Sequence, residues 1–272
     1  MKKMLLLALI GMIISLACLS GPAAPTGTPT IDLQSTQIKE QENQKATSSA
    51  QAAFEAQQQT ATAVAAAARE STRQAATQAV NAEATALAAD MSQEVNSLYS
   101  DRIISSAGGD YHRLADFDES WAQINWYQWW DTGLEPANFV IRTNMTWSSA
   151  SNVANWFSSG CGIVFRERDE DNHYNVFLGL DGNVYLNGYK NGNFLSFAKG
   201  RAGKLDIPKG NAEFQLAVDQ DWITVFVNGK QVLRKQEKSF SDGKLALTLS
   251  SGTNKDYGTR CQMTDIELWV LP

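Results

Sequence analysis

The chain has 272 residues, with 23 Lys and Arg against 29 Asp and Glu, a formal net charge of −6 and a pI near 5.0. That acidic balance, with no basic stripe along the chain, argues against a nucleic-acid partner. Two His and three Cys are too few for a multi-ligand zinc site, and the length suits one large domain with extensions.

Residues 1–17 read MKKMLLLALIGMIISLA, with Lys2 and Lys3 ahead of an apolar run from Met4 to Leu16. The run is shorter than the roughly 20 residues that cross a bilayer, and a short cationic-then-apolar start reads as a signal peptide. Ser15-Leu16-Ala17-Cys18 resembles the lipobox of bacterial lipoproteins, although Ser15 and Leu16 depart from its commonest form. The resemblance implies cleavage before Cys18 and diacylation of its thiol, and two acyl chains suffice for stable anchoring. The expected location is therefore extracytoplasmic, lipid-anchored to the cell membrane or cell surface. An ordinary signal peptide followed by a chance Cys is the alternative. With Cys18 set aside, Cys161 and Cys261 form an even pair in an oxidising compartment, and a disulfide between them is expected, with two buried free thiols as the other reading.

Residues 18–36 are rich in Gly, Pro, Ser and Thr and read as a flexible tether. Residues 37–104 change character: as far as 100 they hold no Gly and no Pro, and Ala, Gln, Thr and Glu dominate. Ala, Gln and Glu are strong helix formers, so this stretch is expected to be a helical stalk. Its larger apolar residues, Val80, Leu87, Met91, Val95 and Leu98, fall with Ala84 on a heptad-like stripe. Two readings remain open: a stalk that self-associates into a coiled coil, giving a homo-oligomer, or a spacer whose Thr residues weaken the helix.

From Ser105 to Pro272 the period becomes two. Strands are expected over 139–147, 162–165, 174–178, 184–186, 214–218, 222–227, 245–249 and 263–270. Turn signals punctuate them at Asp181-Gly182, Asn191-Gly192, Asn228-Gly229 and Asp242-Gly243. The expected fold class is mainly β, an antiparallel two-sheet jelly-roll sandwich over 105–272, preceded by the long Ala/Gln/Thr-rich helix.

Three stretches carry a family resemblance. They are Gly162 to Arg166 with Tyr174, Phe177, Asp181-Gly182 and Tyr189; Phe226 to Val232 with Gly243 to Leu247; and Asp265 to Val270. Together they resemble the concanavalin-like, laminin-G-type jelly rolls of bacterial surface proteins, a set that includes groups named for 3-keto-disaccharide hydrolase or for domains of unknown function. The resemblance covers residues 114–271 and implies a fold that hosts lectins, glucanases and adhesion modules alike, so activity must be argued from the site.

A retaining glucanase needs two carboxylates about 5–5.5 Å apart. Glu167 and Asp169 alternate toward a strand end and are the candidate catalytic pair, against a solvated acidic turn. Asp169 and Asp171 are candidate Ca²⁺ ligands, the only cofactor the sequence suggests. His112 and His173 stand in no recognisable motif. Trp121, Trp126, Tyr127, Trp129 and Trp130 are crowded into one short stretch, and such rings either fill a sandwich core or stack on sugar rings. Trp126 and Trp130 share one face by strand parity, Tyr127 and Trp129 the other. Trp126, Trp129 and Trp130, with Tyr189 and Asn191 at a turn, are the candidate ligand-binding residues. The sequence thus points to an anchored module that binds a glycan, a surface polymer or a surface protein. A glycoside-active enzyme and an assembly protein built on the helix are the alternatives.

Overall fold

The computed structural model describes residues 33–272, so the signal-like residues 1–17, Cys18 and the tether up to residue 32 lie outside the described residues. Helix α1 runs unbroken over Leu33–Ser100, so it begins inside the stretch expected to be tether. Its Thr residues do not interrupt it. The hydroxyls of Thr47, Thr60, Thr62 and Thr72 each donate to the carbonyl four residues back, at 2.8 to 2.9 Å, which satisfies the polar group within the helix. Contacts divide the chain after Gln74. In the first unit residues 38–74 are exposed on every side, Phe54 and Val64 included.

The second unit holds the end of α1 and thirteen strands: β1 (Asp110–Arg113), β2 (Phe117–Trp121), β3 (Trp126–Leu134), β4 (Phe139–Ser149), β5 (Gly160–Asp169), β6 (Asn172–Gly179), β7 (Asn183–Lys190), β8 (Asn193–Arg201), β9 (Lys209–Asp219), β10 (Trp222–Val227), β11 (Lys230–Gln236), β12 (Lys244–Ser251) and β13 (Thr259–Val270). They form two antiparallel sheets packed as a sandwich. The first has the order β1-β13-β4-β9-β10-β11, with β2 also on β13, and the second the order β3-β12-β5-β6-β7-β8. Asn191 (φ 51) with Gly192 (φ 73), and Asn228 (φ 49) with Gly229 (φ 70), take the two successive positive φ values of tight hairpin turns. Asp242-Gly243 marks a different joint, the passage from β11 in one sheet to β12 in the other.

Alternate residues explain the core. Ile141, Met145 and Trp147 of β4, Phe214, Leu216 and Val218 of β9, and Ile163, Phe165, Tyr174, Val176 and Leu178 of β5 and β6 all point between the sheets. Cys161 on β5 and Cys261 on β13 are joined by a disulfide, with Cα atoms 5.8 Å apart, so the bond ties one sheet to the other. At the far end of β5 the fully buried Arg166 has no carboxylate partner among the described residues. Its guanidinium donates to the carbonyls of Ala137 (3.0 Å), Phe240 (2.9 Å) and Gln220, pinning three loops.

The apolar stripe at the end of α1 is used differently from a coiled-coil seam. Met91, Val95 and Leu98 are buried against Val140, Ala217 and Leu271, on the outward side of the first sheet. Those positions are filled by the sandwich and offer nothing to a partner helix. The sandwich unit therefore includes helical residues before 105. Around the apolar contact lies a polar one. Arg142 donates to Glu267 (2.6 Å) and to Asp90 on α1 (2.7 Å), and Gln215 donates to Glu94 (3.0 Å). Burial alone would lower the Arg142 pKa, but the two carboxylates outweigh it and hold the guanidinium charged. The helix then stops at Arg102 (φ 58), where the Ile103 amide reaches back to the Leu98 carbonyl (2.9 Å) in a Schellman-type ending.

Candidate functional site

The outward side of the second sheet is where chemistry-bearing residues gather. Its strands send one set of residues into the core and the alternate set outward. On β6 the outward set is His173, Asn175 and Phe177; on the paired β7 it is Tyr185, Asn187 and Tyr189. β3 adds Tyr127 and Trp129, and β8 adds Phe194 and Ser196. Between them lies a cavity of about 510 Å³, lined also by Asn125, Trp126 and Phe157 and edged by Glu170 and Asp171 on the β5–β6 turn.

Its floor is a run of rings. Trp129 lies 5.1 Å from His173, His173 5.5 Å from Tyr189, and Tyr189 5.6 Å from Phe194, while Phe177 stacks on Tyr185 at 5.2 Å. Gly162 of β5 lies against this layer: a Cβ there would come within 2.5 Å of the Phe177 Cβ, so no larger residue fits beneath the ring. Phe194, Phe157 and Trp126 stand at the mouth and are each about half exposed.

Polar groups at the base are buried and under-used. The Tyr127 hydroxyl lies 2.6 Å from His173 Nε2. His173 is fully buried, and burial lowers its pKa, partly offset by the peptide group and carboxylate of Asp169. The ring is accordingly neutral at pH 7, the tautomer sets which of Nε2 and the Tyr127 hydroxyl donates, and Nδ1 is buried without a partner among the described residues. Burial raises the Tyr127 pKa, so the phenol keeps its proton. Asn175 (1% exposed) and Asn187 (9% exposed) each carry an Oδ1 with no hydrogen-bond donor among the described residues. A buried carbonyl oxygen left without a donor costs about 1–3 kcal/mol, which a ligand hydroxyl or amine reaching it would recover.

No protein-family model matches the chain, and no curated protein matches it. Solved structures do. The carbohydrate binding module CBM66 from Bacillus subtilis aligns over 58% of this chain and 94% of its own, at 11% identity and a TM-score of 0.44. A fructosyltransferase from A. japonicus aligns over 61% of this chain at 15% identity and a TM-score of 0.42, and the chain spans only 27% of its length. Sheep galectin-11 aligns over 54% of this chain and 98% of its own, at 14% identity and a TM-score of 0.36. At these identities and scores the likeness says nothing of what the cavity holds.

Of the residues singled out from sequence, Trp126, Trp129 and Tyr189 line the cavity. Trp130 does not. It packs on the core, edge-on to Phe117 at 5.2 Å, because its parity on β3 points between the sheets. The open side of β3 is thus the Tyr127–Trp129 side, with Trp126 reaching the cavity from the strand's end. Asn191 is exposed at the β7–β8 turn, where it sets the positive φ. Glu167 and Asp169 do not face the cavity. A bulge between Phe165 and Asp169 breaks their alternation, Glu167 pairs with Lys244 in the sheet, and Asp169 Oδ1 caps the turn through the Asp171 amide and the Asn172 side chain. For Asp169 and Asp171 as metal ligands, no group of three or more His, Cys, Asp or Glu among the described residues is placed to hold an ion.

His173, Asn175, Asn187 and Phe194 were not anticipated. The signal was present as two neighbouring strands, His173-x-Asn175-x-Phe177 and Tyr185-x-Asn187-x-Tyr189. Each pairs a core-facing set with an outward set too aromatic for a solvated surface.

Proposed function

We propose that this chain is an extracytoplasmic lipoprotein, anchored through Cys18, whose sandwich binds glycan in the cavity of the second sheet. The observation that carries the binding reading is the aromatic floor with unpartnered, buried Asn175 and Asn187 oxygens beneath it. Rings stack on the C–H faces of sugars, and the amide oxygens accept hydrogen bonds from their hydroxyls. The volume suits a few sugar units rather than a protein surface. Anchoring rests on residues 1–18 alone, and α1 would serve as the spacer between lipid and sandwich.

The experiment is a glycan array probed with the full chain and with Trp129→Ala. Retention of one or more glycans by the first and its loss by the second supports the reading. Binding unchanged by Trp129→Ala would place the site elsewhere, and binding to no glycan at all would overturn the reading. Mass spectrometry of the membrane-extracted protein checks the anchor: a diacylglyceryl Cys18 at the N-terminus is expected, and an unmodified thiol there would overturn it.

A further inference from the structure

The hydrogen-bonding groups left over in the cavity are mainly acceptors. Of its three buried atoms unpartnered among the described residues, Oδ1 of Asn175 and Oδ1 of Asn187 are acceptors, and the third is Nδ1 of His173. The Tyr127 hydroxyl and His173 Nε2 are already engaged with each other, and the imidazole is neutral. No Lys or Arg lines the cavity. Lys199 has its ammonium 5.1 Å over the ring of Tyr185, one of the lining residues, but does not itself line the space. At the edge stand two carboxylates, Glu170 and Asp171, both exposed and neither in a salt bridge among the described residues. The Asp171 carboxylate reaches toward the next hairpin, where a Cβ on Gly192 would lie 3.3 Å from its Oδ1.

These features together select a ligand by charge. Aromatic faces carry negative potential and attract cations, most strongly Trp and Tyr faces. Free carboxylates at the rim add to that attraction, and acceptors without donors ask for N–H or O–H groups. A uronic acid or sulfated sugar would bring its charge against the same carboxylates and acceptors with no cation to receive it. Building on the glycan reading above, we infer that the cavity prefers a glycan bearing protonated amines, an amino sugar without its acetyl group, and rejects acidic glycans.

The test titrates the full chain with three oligosaccharides of equal length, following Trp fluorescence and heat. They are a β-1,4-linked glucosamine tetramer, the neutral glucose tetramer of the same linkage, and an oligogalacturonate. At pH 6 the glucosamine tetramer is expected to bind roughly tenfold more tightly than the neutral one, with the galacturonate undetectable. The ratio should shrink as salt is raised, because rim charges are screened. In Glu170→Gln with Asp171→Asn, verified as folded by near-ultraviolet circular dichroism, the ratio should fall toward one. Equal affinity for the glucosamine and glucose tetramers, or preference for the galacturonate, overturns the inference while leaving the glycan reading intact. A preference for glucosamine that survives the double substitution and high salt also overturns the electrostatic account. Binding of choline with no oligosaccharide bound overturns both readings.

Discussion

The two outward faces of the sandwich are built from the same strand alternation and have opposite fates. On the first sheet Val140 and Ala217 meet Met91, Val95 and Leu98 of α1, and Arg142 and Gln215 meet Asp90 and Glu94. These positions find partners within the chain, although the buried Thr224 hydroxyl beside Ala217 has none among the described residues. On the second sheet Trp129, His173, Tyr189 and Phe194 line a cavity, where Trp129, Tyr189 and Phe194 stay partly open to solvent and Asn175 and Asn187 keep unpaired oxygens. An outward face covered by the chain's own helix is structural, and one left open above unpaired polar atoms is a candidate site. The largest effects should separate the two faces cleanly.

Among the described residues, Arg142→Leu removes the only cation held by Glu267, whose side chain is 4% exposed and would keep just the Tyr111 hydroxyl at 3.2 Å. A buried charge stripped of its partner typically costs about 3–5 kcal/mol. Urea unfolding should show a loss of that order, with sugar binding by the folded fraction unchanged. Loss of binding at full stability would break the division between faces. Trp129→Ala should do the reverse. The loss of a stacking ring at the centre of the site costs about 2–3 kcal/mol of binding, a drop in affinity of roughly 30- to 150-fold. Its stability should fall less than in Arg142→Leu, since the ring is already partly open to solvent.

How far these faces could be read from sequence follows from burial. β10 has the expected bounds, Trp222–Val227, because it is flanked by β9 and β11 and alternates Ile223, Val225 and Val227 into the core. β1, β3, β8 and β11 end their sheets, and β2 pairs only with β13. Of these five only β3 was anticipated, through the strand parity of Trp126 to Trp130: edges tolerate polar runs such as Lys230 to Gln236 and carry weaker patterns. The helix was legible from composition, but its stripe at Met91, Val95 and Leu98 was not legible as a contact with a sheet. Periodicity shows that a face is apolar and cannot say what covers it. The ring cluster near Trp126 and Trp129 pointed to the right end of the site. Its deeper half, on β6 and β7, depends on which strands are neighbours, and pairing order is not written in any one segment.

Asn187→Val sharpens the comparison by turning a leftover oxygen into a satisfied surface. The substitution removes a 9% exposed side chain whose Oδ1 has no donor, on a strand where a β-branched residue fits. Stability should hold or rise by about 1 kcal/mol while sugar affinity falls by roughly tenfold. That opposite movement distinguishes a binding group from a structural one. A loss of both would mean that Asn187 holds the sheet together, and the second face would then be structural like the first.

The smallest effect comes from His173, and its sign is fixed by linkage. Burial lowers the folded-state pKa below the ordinary value of 6.5, so the unfolded chain takes up a proton first as pH falls. The neutral ring contributes nothing pH-dependent above 6.5. Below that value the unfolded state gains a proton that the native ring does not, and stability drops with each step of acidification until the folded ring itself titrates. Urea midpoints measured from pH 7.5 downward should therefore decline below 6.5 in the wild type. In His173→Gln, which keeps a polar group beneath the Tyr127 hydroxyl, the decline should be shallower across the same window. An equal slope in both would assign the acid sensitivity to other groups and leave His173 an inert part of the cavity floor. Saturating sugar should reduce the wild-type slope only if the ligand binds more tightly when the imidazole is charged, because it then raises the folded-state pKa toward the unfolded value. That comparison also reports whether the Tyr127–His173 contact at 2.6 Å belongs to the bound state.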